Sequence, residues 1–396
     1  MDFEERLEVE IQIAQQDDID TSGIWELFES ATPQQRVTVF LRTLETEVLN
    51  DEYAFEFLNT IRSDCDPGSP EDRALYTDLL NRFREREPKL YLQSSVHYHR
   101  DLINFAIIEG RWGDLSALLS PYTSAYHLDL FNMVIAQLEY HGQIRPLIAA
   151  MELAWPNIKA SSKIFEWARE EFAGELMELM LVDYLENATD PRPDDPQLIE
   201  TTAFLLSWEE NWLAWFIPAV MRPRPGGWNP ADFSEDIGSE AWMNQFNVLQ
   251  VEFIGIQWRN GIPLTRGLLA WHKWSEIFHA QTKTLQKSRK KTGKPELSRL
   301  LIPQPNYVEK ILGESFSLIG GEPHEVTAAL EFIPSYLNFL EDLGLIQATE
   351  RHLAIQKIRP MVEQMPRIME YYEGDPVAIE NLLDAWEMKD HTIGSS

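Results

Sequence analysis

The sequence predicts an all-α protein built from stacked antiparallel helix pairs, arranged as an α-solenoid or as an irregular helical bundle. Three observations predict this class. Apolar residues recur at helical spacing along most of the chain, Ser, Thr or Asp precede these runs as cap residues, and glycines follow them. Alternating apolar and polar segments bounded by turn dipeptides, which indicate strands, are scarce.

Helical spacing is clearest in residues 72–87, where the apolar positions share one face: Leu75, Tyr76, Leu79, Leu80 and Phe83. Near the C-terminus a second set has the same spacing: Phe332, Tyr336, Leu340 and Leu343. Residues 246–258 contain a denser apolar run. They are interpreted as a helix because Ser239 can cap its start and Asn260-Gly261 can end it.

Cap residues mark several helix starts. Ser69 precedes Pro70, which suits the first turn of a helix. Thr32 and Gln35 have the spacing of a capping box. Asp375 precedes Pro376 in the same way.

Glycines lie where one periodic run stops and the next begins: Gly110, Gly113, Gly142, Gly261 and Gly344. A helix often ends with a residue in the left-handed conformation, which glycine adopts easily. Short links between helices predict antiparallel neighbours.

A weak internal similarity accompanies these turns. Residues 101–105 (Asp-Leu-Ile-Asn-Phe) match residues 129–133 (Asp-Leu-Phe-Asn-Met), and in residues 150–156 a second helix is expected to end at Pro156. With these residues and the glycine turns, segment 96–186 resembles the tetratricopeptide-like helical-hairpin superfamily over about a quarter of the chain. The resemblance implies a superhelix with a concave surface for a protein or peptide. The alternative is that antiparallel helix pairs produce such echoes by chance.

The charge balance restricts the partners. Asp and Glu exceed Lys and Arg by 64 to 34, which gives a formal net charge of −30. Such a surface disfavours nucleic acid and anionic lipid and favours basic partners. Residues 283–299 are basic against this trend. They are either a docking loop for an acidic partner or nucleic acid, or a basic helix end that runs into a solvated loop.

Cysteine content and apolar runs indicate the compartment. Cys65 is the single cysteine, which excludes an internal disulfide framework and a thiolate metal site. The first six residues are acidic rather than basic and apolar, unlike a secretory signal. The longest apolar run, 212–221, has about half the length of a membrane span. We therefore expect a cytoplasmic protein with no membrane segment.

Proline-rich or basic stretches at 187–196, 222–238 and 287–306 suggest three helical regions. These are an N-terminal repeat-like region at 1–186, a tryptophan-rich region at 197–286 and a C-terminal region at 300–390. Alternatively, the three regions form one continuous body.

Tryptophans are concentrated in the middle region, and five of them have helical spacing: Trp208, Trp212, Trp215, Trp271 and Trp274. An aromatic set of this kind either lines a binding groove or packs as core. If the chain has a pocket, we expect these residues to form it.

Polar residues on the same segment could supply chemistry to such a pocket: His272, Glu276 and His279. Glu276 and His279 form a Glu-x-x-His pair, the spacing of di-iron bundles. Those sites need a second such pair, which the chain lacks. No nucleophile or phosphate-binding motif is complete. We therefore predict no metal site, no cofactor and no catalytic residue.

The sequence favours a non-enzymatic scaffold or binding module that recognises a protein segment through a groove between helices. One alternative is a helical enzyme or small-ligand-binding protein with its pocket in the tryptophan-rich region. Another is a structural subunit of a larger assembly. The sequence does not determine the partner or the oligomeric state.

Overall fold

A computed structural model describes residues 2–16, 22–124, 128–202, 213–233, 237–292, 297–316, 323–372 and 375–388. Every regular element within these ranges is helical, which confirms the predicted all-α class. The chain divides into two compact units, Met1–Arg111 and Trp112–Ser396.

The first unit contains seven described helices: α1 (Phe3–Gln16), α2 (Ser22–Glu29), α3 (Pro33–Glu45), α4 (Asp51–Asp64), α5 (Pro70–Arg86), α6 (Pro88–Gln93) and α7 (Ser95–Ile108). Its core contains stacked aromatic rings, and the centroids of Phe28 and Phe57 are 4.0 Å apart. At the edge of this core, Arg36 of α3 pairs with Asp64 of α4 at 2.8 Å. Aromatic packing and this ion pair connect the first helices of the unit.

The predicted caps are confirmed. The Thr32 hydroxyl accepts a hydrogen bond from the Gln35 backbone N–H, and the Gln35 side chain accepts one from the Thr32 N–H, which completes the capping box. Ser69 caps α5 through the N–H of Asp72, and Asp375 caps the last helix of the chain through two backbone N–H groups. These side chains satisfy backbone donors that a helix start leaves without partners.

The second unit contains the remaining helices: α8 (Leu115–Leu118), α9 (Leu128–Tyr140), α10 (Ile144–Ala160), α11 (Glu166–Asn187), α12 (Pro196–Thr202), α13 (Leu213–Met221), α14 (Glu240–Arg259), α15 (Leu264–Thr292), α16 (Ser298–Leu301), α17 (Pro305–Glu314), α18 (Pro323–Glu331), α19 (Ile333–Asp342), α20 (Ala348–Val362), α21 (Met365–Tyr372) and α22 (Pro376–Ala385).

Helix α18 lies at the centre of the second unit. Eight of its nine residues are buried, and it packs against α9, α15 and α22. The indole N–H groups of Trp274 and Trp386 donate to the carbonyl oxygens of Ala329 and Leu330, each at 2.9 Å. Carbonyls in the last turn of a helix lack partners within the helix, so these two tryptophans cap α18 from neighbouring helices.

Four of the five predicted glycine turns have positive φ, namely Gly110, Gly142, Gly261 and Gly344. At Gly142 a Cβ would also lie 2.9 Å from Cβ of Pro263, so both the backbone conformation and the close approach require glycine. Gly113 differs, because it lies inside a 3₁₀ turn spanning Trp112–Asp114. Gly113 still lies between the end of α7 at Ile108 and the start of α8 at Leu115, as predicted, but it does not have a positive φ.

The expected helix end at Pro156 is wrong, since α10 continues through it to Ala160. Proline removes the hydrogen bond to the carbonyl of Glu152, one turn earlier. Glu152 and Pro156 are both exposed, so water can solvate that carbonyl and the helix tolerates the proline.

The boundary between the two units lies at Arg111–Trp112, within predicted region 1–186 and within the segment that resembles helical hairpins. Predicted regions 197–286 and 300–390 both belong to the second unit. Most side chains of basic stretch 283–299 fall outside the described residues. None of the described helices has the length and apolar content needed to cross a membrane.

Candidate functional site

The predicted tryptophan set does not form one surface among the described residues. Trp208 and Trp212 lie outside them. Trp215 of α13 and Trp271 of α15 are half-buried and meet edge to face, with ring centroids 6.5 Å apart. Trp274 is fully buried, and its indole N–H donates a hydrogen bond to α18. It is therefore a core residue and does not line a pocket.

The three polar candidates on α15 have separate surroundings. Nε2 of His272 lies 3.1 Å from Oε2 of Glu178. Glu276 pairs at 3.1 Å with Lys273 of the same helix. His279 is exposed. The Glu276-x-x-His279 pair therefore does not converge on one point with His272.

His272 borders a group of carboxylates that we call the acidic cluster: Glu139 of α9, Glu175 and Glu178 of α11, and Glu325 of α18. Burial and then the charge of Glu175 hold the pKa of Glu139 well above its usual range, and the two carboxyls share a hydrogen bond. Burial and then the charge of Glu178 also raise the pKa of Glu175. Like charges this close cannot all ionise, so the pair keeps a proton to higher pH than an ordinary glutamate.

The negative charge of the acidic cluster also acts on His272. Burial lowers the pKa of His272, but the charge and hydrogen bond of Glu178 outweigh it and raise that pKa to about 9. A histidine pKa that is higher in the folded state stabilises the fold fully below about pH 6.5, its unfolded value. That contribution is lost as the pH rises from about 6.5 to about 9.

We expect Glu178→Gln to lower the pKa of His272 towards its ordinary value and to remove this loss of stability with pH. The C2 proton of His272, followed by NMR from pH 6 to 10, measures the pKa directly. Glu276→Gln is the matched control, because Glu276 pairs with Lys273. An unchanged His272 titration in Glu178→Gln would show that Glu178 does not hold the proton on the ring.

A second polar group lies deeper in the same unit. Its members are His141 after the end of α9, His324 in the first turn of α18, and Asp375 at the N-cap of α22. Nε2 of each histidine lies 2.8 Å from Oδ2 of Asp375. We call these three residues the His–Asp cluster.

The His–Asp cluster is closed from solvent. The side chains of His141, His324 and Asp375 are 5%, 1% and 0% exposed. The other carboxylate oxygen of Asp375, Oδ1, accepts from the backbone N–H groups of Val377 and Ala378, both at 3.1 Å. The start of α22 therefore fixes the carboxylate so that Oδ2 faces the two imidazoles.

Aromatic rings and an ion pair surround the cluster. The Tyr140 ring lies against both imidazoles, with centroids 5.2 Å from His141 and 5.7 Å from His324. The Tyr140 hydroxyl donates to Glu331, whose other carboxylate oxygen lies 3.1 Å from Nη1 of Arg266. The Arg266 charge is thus balanced by Glu331 and does not compensate Asp375.

The two histidines control the ionisation of Asp375. Burial alone would raise the pKa of this carboxyl, but the hydrogen bonds and charges of His141 and His324 outweigh burial and hold the pKa far below its usual range. Asp375 is therefore an anion within the core. A buried carboxylate must be paired, and here the two imidazoles are its side-chain partners.

The sequence prediction of no metal site did not anticipate this cluster. Among the described residues, these three form a group whose candidate ligand atoms all lie within 4.8 Å of one another. Their positions are far apart in the chain, since Asp375 lies 234 positions after His141 and 51 positions after His324. The one local signal was Asp375-Pro376, which indicated a helix cap and nothing more.

The α10–α11 hairpin carries an aromatic pair on its outside. Phe165 and Trp167, where α11 begins, are 70% and 64% exposed. Their rings are stacked, with centroids 6.3 Å apart and planes 11° from parallel. Leu153 of α10 is 69% exposed on the same hairpin. Phe165 and Trp167 form what we call the hairpin aromatic pair.

A cavity of about 350 Å³ lies beside the linker that follows α11, lined in part by Asp183, Tyr184, Asp190 and Asp195. The Tyr184 hydroxyl donates to Asp195 at 2.8 Å and accepts from the backbone N–H of Arg192 at 2.9 Å. These bonds hold the linker against α11. The Tyr184 hydroxyl thus has its hydrogen-bond partners within the protein.

Comparisons with known proteins give no match: no family model fits the chain, no curated protein resembles its sequence, and no solved structure resembles its fold. The geometry of these groups is therefore the basis for assigning a function.

Proposed function

We propose that this chain is a non-enzymatic binding module of the helical-hairpin type, which recognises a protein segment through the hairpin aromatic pair. The observation that carries the proposal is the exposure of two stacked aromatic rings at the start of α11. Isolated exposed apolar residues are common on protein surfaces. Two large rings stacked on each other outside the core form a surface that another molecule can cover.

The chemistry of the pair suits a binding hot spot. Tryptophan dominates many protein interfaces because it buries a large, rigid surface at a small entropic cost. Stacking restricts both Phe165 and Trp167 before a partner arrives, so less conformational freedom is lost on binding.

The net charge indicates the chemistry of the partner. A chain with a formal charge of −30 attracts a basic segment and repels an acidic one. We therefore infer a basic protein segment with apolar anchors. The single cysteine, Cys65, is free, which supports a cytoplasmic, reducing setting for this interaction.

The test compares the full-length protein with Phe165→Ala/Trp167→Ala as bait in native lysate, followed by reconstitution with each stoichiometric partner recovered. Two hot-spot rings contribute about 2 kcal/mol or more, so the double variant is expected to weaken the reconstituted complex by roughly 30-fold or more. Higher salt should weaken the wild-type complex, because its partner is basic.

Leu353→Ala is the matched control, since Leu353 of α20 is a half-exposed aliphatic residue in the same unit. It should leave partner binding unchanged. Equal partner affinity of the double variant and the wild type would refute this surface, as would the absence of any stoichiometric partner. Light scattering on the pure chain identifies self-association, the result expected if a second copy covered the pair.

A further inference from the structure

The His–Asp cluster has the composition and arrangement of a metal site. It brings two imidazole nitrogens and one carboxylate oxygen to a common point from α18 and from residues next to α9 and α22. All three atoms lie within 4.8 Å of one another, and each nitrogen is 2.8 Å from Oδ2. A tetrahedral zinc ion with bonds of about 2.0–2.1 Å separates its ligand atoms by about 3.3 Å. A small rotation of each imidazole supplies the missing half ångström.

The ligand types are selective. Two histidines and one carboxylate suit first-row divalent metals, whereas calcium and magnesium prefer sites made of oxygen alone. Three protein ligands also leave a fourth position for water, as in many zinc sites.

The carboxylate is oriented as a metal ligand usually is. Val377 and Ala378 donate their backbone N–H groups to Oδ1 and leave Oδ2 directed at the two histidines. Such bonds to the non-ligating oxygen hold a ligand in place and increase metal affinity.

We propose that His141, His324 and Asp375 bind one divalent transition-metal ion of the zinc class. The ion joins α9, α18 and α22 within the second unit and raises the thermal stability of that unit. This inference is independent of the proposed interaction surface, because the hairpin aromatic pair and the His–Asp cluster share no residue.

The test uses the full-length protein, stripped with a chelator and then incubated with a small excess of zinc chloride. After gel filtration, elemental mass spectrometry is expected to find one zinc ion per chain and a higher Tm than for the stripped protein. His324→Gln and Asp375→Asn should each lower zinc affinity by at least tenfold. His352→Gln, at an exposed histidine of α20 that contacts Gln356, should retain one ion per chain.

Circular dichroism checks that the variants keep their helices. X-ray absorption on the zinc-loaded wild type identifies the ligands of the ion without relying on the variants. It should show nitrogen and oxygen ligands with the outer-shell scattering of two imidazoles. Wild-type protein that retains no zinc, a sulfur shell from Cys65, or variants that bind zinc as tightly as the wild type would overturn the proposal.

Discussion

Replacing Gly255 by alanine is expected to destabilise the second unit by about 3 kcal/mol or more. A Cβ at this position of α14 would lie 2.1 Å from the carbonyl oxygen of Val220 and 2.8 Å from its carbonyl carbon. Both atoms belong to the backbone of α13 and cannot rotate away as a flexible side chain would. The same carbonyl also accepts from the Arg259 guanidinium, which fixes it further.

The matched control is Gly174→Ala in α11, another glycine inside a helix. Nothing lies within 4 Å of a Cβ at position 174. This substitution should therefore stabilise α11 by up to about 1 kcal/mol through its helix propensity. Urea unfolding followed by tryptophan fluorescence reports mainly the second unit, because Trp25 is the one tryptophan before Trp112. Equal midpoints for the two variants would show that α13 and α14 do not meet at Gly255.

Replacing Trp386 by alanine is expected to cost about 3–5 kcal/mol. The Trp386 side chain is fully buried beside α18, and its indole N–H donates to the carbonyl of Leu330. Alanine removes the ring and leaves both a cavity and a carbonyl without its partner.

Trp386→Phe separates these two effects, because phenylalanine keeps much of the ring volume and lacks the N–H. We expect it to cost about 1–3 kcal/mol, the usual cost of leaving a buried polar group without a partner. The urea unfolding midpoints of the two variants show which substitution destabilises the protein more. If phenylalanine is as damaging as alanine, packing contributes little at this position, and if it is harmless, the hydrogen bond contributes nothing.

Local features of the fold could be predicted from the sequence because their causes lie a few residues apart. Ser69 and Thr32 each accept a hydrogen bond from a backbone N–H three residues later, so a few neighbouring residues of the sequence are enough to predict the helix cap. The glycine turn at Gly142 is equally local, since a positive φ favours that residue type wherever it occurs.

Helix α18 shows where such prediction stops. Residues 326–330 of this helix, Val-Thr-Ala-Ala-Leu, are all buried, so no exposed polar position among them marks one face as the outer one. The role of Trp274 was not predictable either, because its partner carbonyl belongs to α18, 55 positions further along the chain.

The candidate sites follow the same division. His272 could be singled out because it lies within a conspicuous aromatic segment, but its partner Glu178 belongs to another helix. The His–Asp cluster has no local spacing at all. Only the packing of α9, α18 and α22 shows that His141, His324 and Asp375 meet.

The burial of α18 determines when the second unit can form during synthesis. A nine-residue helix is too short to persist alone in water, so α18 must wait for the helices that enclose it. The last of these, α22, ends at Ala385. While the ribosomal exit tunnel still holds α22, the side of α18 that packs against α22 stays uncovered. Consolidation of the unit therefore follows translation of α22, and the earlier helices must avoid aggregation until then.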